Sequence, residues 1–212
     1  SDVCSSDLFY RLWLDETMTY SSAMWRDIDD PASLGDAQRR KIEWHLRHSG
    51  ADRASRVLDI GCGWGGMLRA AVHERGLQAP PLVLAVGLTL SDAQAELAGR
   101  LAADSGTDRV EFRVESWADH RPEAPYGALI SVGAFEHFAK PEADATTKIT
   151  LYRDFFERCR DLLENDARVP FWKADYDLMM KQSEAWCSFP VDLVDLSLRH
   201  DDDDEISLSW HL

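Results

Sequence analysis

Two short stretches of this chain carry residues arranged for chemistry. The first is Asp59-Ile60-Gly61-Cys62-Gly63-Trp64-Gly65-Gly66. Gly61, Gly63 and Gly65 strip side chains from a turn and permit backbone angles that other residues resist. Such a turn, set between a strand and a helix, lets a ligand reach bare backbone while the helix aims its first amides at it. Gly61, Gly63 and Gly66 also fit the G-x-G-x-x-G spacing of dinucleotide sites, a weak signal by itself. An NAD site normally adds an acid for the ribose ~20 residues on. Here Gly87-Leu88-Thr89-Leu90-Ser91 offers no acid before Asp92. Asp59 is placed to order the loop and to hold a cationic group of a nucleotide-type cofactor; an NAD enzyme and an empty glycine turn are the competing readings. The second stretch is Val132-Gly133-Ala134-Phe135-Glu136-His137-Phe138. Glu136 is suited to stabilising positive charge, and His137 offers an imidazole that could serve as a base. The plainer alternatives are a turn-capping carboxylate and a structural histidine.

The elements that must position these residues follow from periodicity. Arg56–Ile60 is a short apolar strand leading into the glycine turn, with a helix over Met67–Arg75. Leu82–Leu88 is the next strand and Ser91–Ser105 the next helix, with Ser91 as its N-cap. Strands Arg109–Val114 and Tyr126–Val132 come next, then a helix over Thr147–Leu163. Strand and helix alternating at this pace predict an α/β fold of the Rossmann-like kind, a mostly parallel sheet with helices on both faces. Ligands bind such a sheet at the carboxyl ends of its strands, where both stretches fall. Upstream, Ser33–His48 reads as a helix capped by Ser33, with Leu34, Ala37, Ile42 and Leu46 on one face. Phe9–Trp25 reads as a short helix and loop, an arm. Downstream, Arg168–Trp172 reads as a fifth strand and Tyr176–Trp186 as a helix. Val191–Leu198 and Glu205–Leu212 alternate in a way that predicts an antiparallel hairpin closing the sheet.

Composition narrows the partners. The chain has 212 residues, 45% hydrophobic and 29% charged, which suits one α/β domain with some extra. The net charge of −15 argues against nucleic acid, whose phosphates call for a basic patch, and against more than peripheral contact with a membrane. No apolar run approaches the ~20 residues of a membrane span, and no signal peptide is evident. Cys4, Cys62, Cys159 and Cys187 form no CxxC pair, so they read as reduced thiols of a cytoplasmic protein with no metal site. Residues 1–8, SDVCSSDL, read as a non-native leader. The expected organisation is this leader, an arm and helix over 9–50 covering the cofactor, a cofactor-binding core over 51–165, and an unmatched segment over 166–212.

The motifs FYRLWLDETMTYSSAMW, VLDIGCGWGG, VGLTLSDAQ and ISVGAFEHF together resemble the cyclopropane-fatty-acyl-phospholipid synthases, including the mycolic acid cyclopropane synthases. The resemblance runs from about Phe9 to Leu163, and the D-x-G-x-G-x-G order at Asp59 is that of class I methyltransferases. It implies S-adenosylmethionine as cofactor and transfer of a methyl or methylene to an unsaturated acyl chain by way of a carbocation. It implies that Tyr20 and Ser21 lie over the methionine part of the cofactor, with Gly61 and Gly63 below it. Thr89, Leu90 and Gln94 would take the ribose and Trp117 the adenine; the alternative for Trp117 is a core aromatic. It further implies a bicarbonate ion held by Glu136 and the Val132 carbonyl.

The pattern departs in places. Many relatives carry an acid after the tryptophan; here Ala118 leaves Glu115 or Ser116 to serve instead. Ser22 stands where the family commonly has cysteine, and its hydroxyl can still bond an anion. After Leu163 the family's lid, with its His and Tyr ligands, finds no match in Trp172, Tyr176, His200 or His211. A small-molecule methyltransferase and a cofactor-binding remnant without turnover are therefore the alternatives.

Overall fold

The structure, a computed structural model, describes residues 9–73, 81, 83–140, 142–164, 197–200 and 206–209; Glu136, Ala145 and the last two stretches are described by backbone alone. Residues Ser1–Pro170 form one compact unit and Phe171–Leu212 a second.

In the first unit the elements run α1 (Leu34–Ser49), β1 (Arg56–Ile60), α2 (Gly66–His73), β2 (Leu84–Thr89), α3 (Asp92–Asp104), β3 (Val110–Val114), β4 (Ala128–Ile130) and α4 (Ala145–Leu162). The four strands form one parallel sheet in the order β3-β2-β1-β4. The chain order reverses beside β1, so a crevice opens at the carboxyl ends of β1 and β4. Val57, Leu58, Ile60, Ala85, Val86, Leu88, Ala128, Leu129 and Ile130 are all buried. Such continuous apolar runs are what a parallel sheet requires of its strands. Ile42 and Leu46 of α1 and Met67, Leu68 and Ala71 of α2 join the same core.

Local chemistry sets the helix ends. Ser33 Oγ accepts from the Asp36 amide at 3.1 Å and the Asp36 carboxylate accepts from the Ser33 amide at 3.3 Å, a reciprocal cap on α1. Ser91 caps α3 as expected. The start of α4 lies two residues before the expected Thr147, because Asp144 caps it, accepting from the Thr147 amide at 3.0 Å. β4 is shorter than the expected Tyr126–Val132. Tyr126 instead forms an isolated bridge with Leu163, which fastens the end of α4 to the sheet.

In the second unit, β5 (Ser197–His200) pairs antiparallel with β6 (Ile206–Ser209). The hairpin is thus present, as a two-stranded sheet of its own rather than as part of the four-stranded one. Strands this near in sequence pair locally at small loop-closure cost, and local pairing suffices to form the ladder. The expected strand Arg168–Trp172, the helix Tyr176–Trp186 and the leader 1–8 lie outside the described residues. Among the described residues no helix is long and apolar enough to cross a membrane.

Candidate active site

Asp59 is 3% exposed near the end of β1, between Gly87 of β2 and Ile130 of β4. Burial, with no donor or cation among the described residues to offset it, pushes its carboxyl up to about 7. A carboxylate held this way is complementary to an ammonium group. Beyond it the chain turns sharply: the amides of Gly61 and Cys62 both donate to the Leu88 carbonyl at 2.9 Å. This locks the glycine turn to the end of β2.

The glycines of that turn do different jobs. A Cβ on Gly61 would run into the Cβ of Ala134, and Gly61 has φ +80°, so it must be glycine for both reasons. A Cβ on Gly65 would strike the ring of Phe112 and Ala98, so Gly65 serves helix-to-strand packing. Only at Gly63, φ +53°, would a Cβ meet nothing within 4 Å among the described residues. Of the three, Gly63 is therefore the one whose missing side chain leaves open space among the described residues. Gly66 seats the arm, since a Cβ there would lie 2.5 Å from the Thr17 carbonyl.

The arm crosses the glycine turn. Tyr10 packs on buried Trp64 at 5.0 Å between ring centres, and Trp64 clusters with Met18 and Leu97. Tyr20 is 63% exposed, edge-on to Tyr10 at 5.1 Å. Side chains from the helices hold the arm's carbonyls. Arg69 of α2 donates to Thr17, Gln38 of α1 to Thr19 and Ser21, and Arg40 to Met24. Lys41 Nζ donates to Ser21 Oγ at 2.6 Å. Ser22, next along, is exposed.

At the end of β2, Thr89 Oγ1 donates to Gln94 Oε1 at 2.7 Å and accepts from the Ser91 amide at 3.2 Å. That knot engages Oε1 of Gln94 and fixes the orientation of its amide. Leu90 beside it is 80% exposed. After β3, Trp117 is half-buried against Phe138 and Phe155, at 5.7 and 5.1 Å. The core-aromatic reading therefore holds for part of its surface. Glu115 accepts from or shares a proton with His120 Nδ1 at 2.9 Å, while His120 Nε2 meets Tyr126 Oη at 2.9 Å. Glu115 is thus committed to the fold.

The β4 loop closes the other side of the crevice. Ser131 Oγ donates to the Ile60 carbonyl at 2.9 Å, tying β4 to β1 just ahead of Gly61. Half-buried Val132 and exposed Gly133, φ +69°, follow; then a 3-10 turn spans Phe135–His137. Phe135 stacks on Tyr152 of α4 at 4.3 Å and Phe138 meets Phe155 at 4.8 Å, which anchors the turn. Glu136 sits in that turn by its backbone, and His137 is exposed. Asp59, Gly61, Gly63, Thr89, Val132 and the Glu136 turn therefore share one sheet edge. The sequence missed Gln38 and Lys41; their spacing on α1 was the available signal.

Comparison with known proteins identifies the family. The family model for mycolic acid cyclopropane synthetase matches residues 2–180. Cyclopropane mycolic acid synthase 2 of Mycobacterium leprae is 36% identical over 168 residues, 77% of this chain and 51% of that protein. The crystal structure of mycolic acid cyclopropane synthase CmaA1 complexed with SAH and CTAB has a TM-score of 0.64 at 34% identity, covering 79% of this chain and 52% of that one. The cyclopropane synthase MmaA2 from Mycobacterium tuberculosis has a TM-score of 0.63 at 33% identity, with the same coverage. The chain spans about half the length of the curated relatives it matches. On the family match over most of its residues, with the glycine corner and the β4 turn at one sheet edge, this chain belongs to the mycolic acid cyclopropane synthetase family.

Proposed function

We propose that this chain is an S-adenosylmethionine-dependent C-methyltransferase of the cyclopropane-synthase type, acting on an unsaturated acyl chain. The observation that carries the reading is the meeting of two features at one edge: a buried carboxylate, Asp59, with no hydrogen-bond partner among the described residues, and the β4 turn bearing Glu136, whose Ala134 packs onto Gly61. The fit to the cofactor is chemical. Asp59 is complementary to its ammonium, Gly63 leaves space for its body, and Thr89 with Gln94 offers hydrogen-bonding groups to ribose hydroxyls. Tyr20, Ser21, Leu90 and Trp117 would cover the remaining faces, with Gly65 shaping the loop.

When bound, S-adenosylmethionine supplies an electrophilic methyl group on a sulfonium. The chain's own residues then have two tasks. Glu136 stabilises positive charge that develops on the acyl chain, and the aromatic residues Phe135, Phe138 and Trp117 keep water away from it. A bicarbonate ion would be held by Glu136, the Val132 carbonyl and the Ser22 hydroxyl, with His137 as a nearby imidazole. The acyl lipid would be met by peripheral contact. The protein would work in the cytoplasm, where the free buried thiols of Cys62 and Cys159 stay reduced.

The test uses methyl-labelled S-adenosylmethionine and vesicles of a monounsaturated phospholipid. Label is expected in the extracted acyl chains, at a carbon of the former double bond. A folded chain that binds S-adenosylhomocysteine yet leaves the lipid unlabelled sinks the reading.

A further inference from the structure

We propose that Lys41 is a positioning residue, whose buried ammonium sets Ser21 and thereby aims the Tyr20–Ser22 turn at the amino-acid end of the cofactor. The inference rests on the cofactor reading given above. Lys41 is 2% exposed, on the face of α1 that also buries Ile42 and Leu46. Burying an ammonium there is costly unless strong hydrogen bonds compensate. Its Nζ donates to Ser21 Oγ at 2.6 Å and lies 3.3 Å from the Ser21 carbonyl. Gln38, one turn earlier, donates to that carbonyl at 2.9 Å and to Thr19 at 3.2 Å.

Residues 20–25 have no regular secondary structure, and the Ser21 and Met24 carbonyls there accept from side-chain donors of α1 instead of a backbone ladder. Ser21 is also where the arm meets the β4 loop: a Cβ on Gly133 would lie 3.2 Å from the Ser21 Cβ. One lysine therefore fixes the contact that places Tyr20 and Ser22 on one side and Val132 on the other. A methionine side chain of similar length could fill the space but offers no donor to the hydroxyl or the carbonyl.

The experiment is calorimetry on the full chain with two ligands: S-adenosylhomocysteine, and 5′-methylthioadenosine, which lacks the amino-acid end. Lys41→Met keeps the length and apolar stem. Its expected effect is an S-adenosylhomocysteine affinity weaker by about tenfold or more, the size of a lost charge-assisted bond. The 5′-methylthioadenosine affinity should move by less than about twofold, because that ligand does not reach the turn. Ser21→Ala removes only the hydroxyl and leaves the packing of Lys41 in place, so it serves should Lys41→Met not fold. It should show the same selectivity at smaller size. Equal weakening of both ligands means that Lys41 supports the fold generally, and overturns the proposal. Unchanged affinity for both, in a folded variant, overturns it too. A wild-type chain that binds neither nucleoside overturns the cofactor reading itself, and this inference with it.

Discussion

Asp59 makes a strong prediction about pH. Its carboxyl is pushed up from 3.8 to about 7 by burial. An ammonium ligand binds the ionised form, so affinity follows the ionised fraction. With a pKa of about 7 that fraction is about nine-tenths at pH 8 and about one-tenth at pH 6, so S-adenosylhomocysteine should bind about tenfold more weakly at pH 6, or ~1.4 kcal/mol. Binding at pH 7 should also release about half a proton, read as a dependence of the calorimetric heat on buffer ionisation enthalpy. Asp59→Asn should remove both effects and lower affinity at pH 8. The stability sign is opposite. Because the folded pKa lies above the unfolded one, the folded apo chain binds the extra proton between about 4 and 7, and stability falls as pH rises through that window. Ligand-free Asp59→Asn should therefore melt higher than wild type at pH 8. An affinity for S-adenosylhomocysteine that is flat from pH 6 to 8, with no proton released, refutes the reasoning.

Four further outcomes separate the roles of individual side chains. Gly63→Ala strains φ +53° but meets no neighbour, so it should fold with a loss of about 1–2 kcal/mol, while a cofactor analogue loses affinity by titration. Gly61→Ala adds a collision with Ala134 and should be destabilised further, by roughly another 1–3 kcal/mol in denaturant melts. Tyr126→Phe leaves His120 Nε2 without its hydroxyl partner and should cost about 1–3 kcal/mol of stability, with S-adenosylhomocysteine affinity unchanged. Ser33→Ala removes the cap of α1 and should lower stability by about 1 kcal/mol, seen as a shift in the denaturation midpoint.

The sequence by itself determined the alternation of strands and helices, the glycine corner at β1 and the caps at Ser33 and Ser91. These are local: apolar periodicity, turn glycines and cap hydroxyls act within a few residues of chain. It also located the family, because four separate motifs are read without knowing how they meet. Tertiary structure alone decided which glycine is open. Gly61 faces Ala134 and Gly65 faces Phe112, partners more than thirty residues away in sequence, and no local pattern distinguishes them from Gly63. Likewise, Glu115 was a reasonable ligand candidate until His120 folded against it. Lys41 looks like one more charged helical residue among Arg39, Arg40 and Glu43. Its burial and its grip on Ser21 exist only once the arm has folded back across α1, because the desolvation of an ammonium depends on what is brought over it.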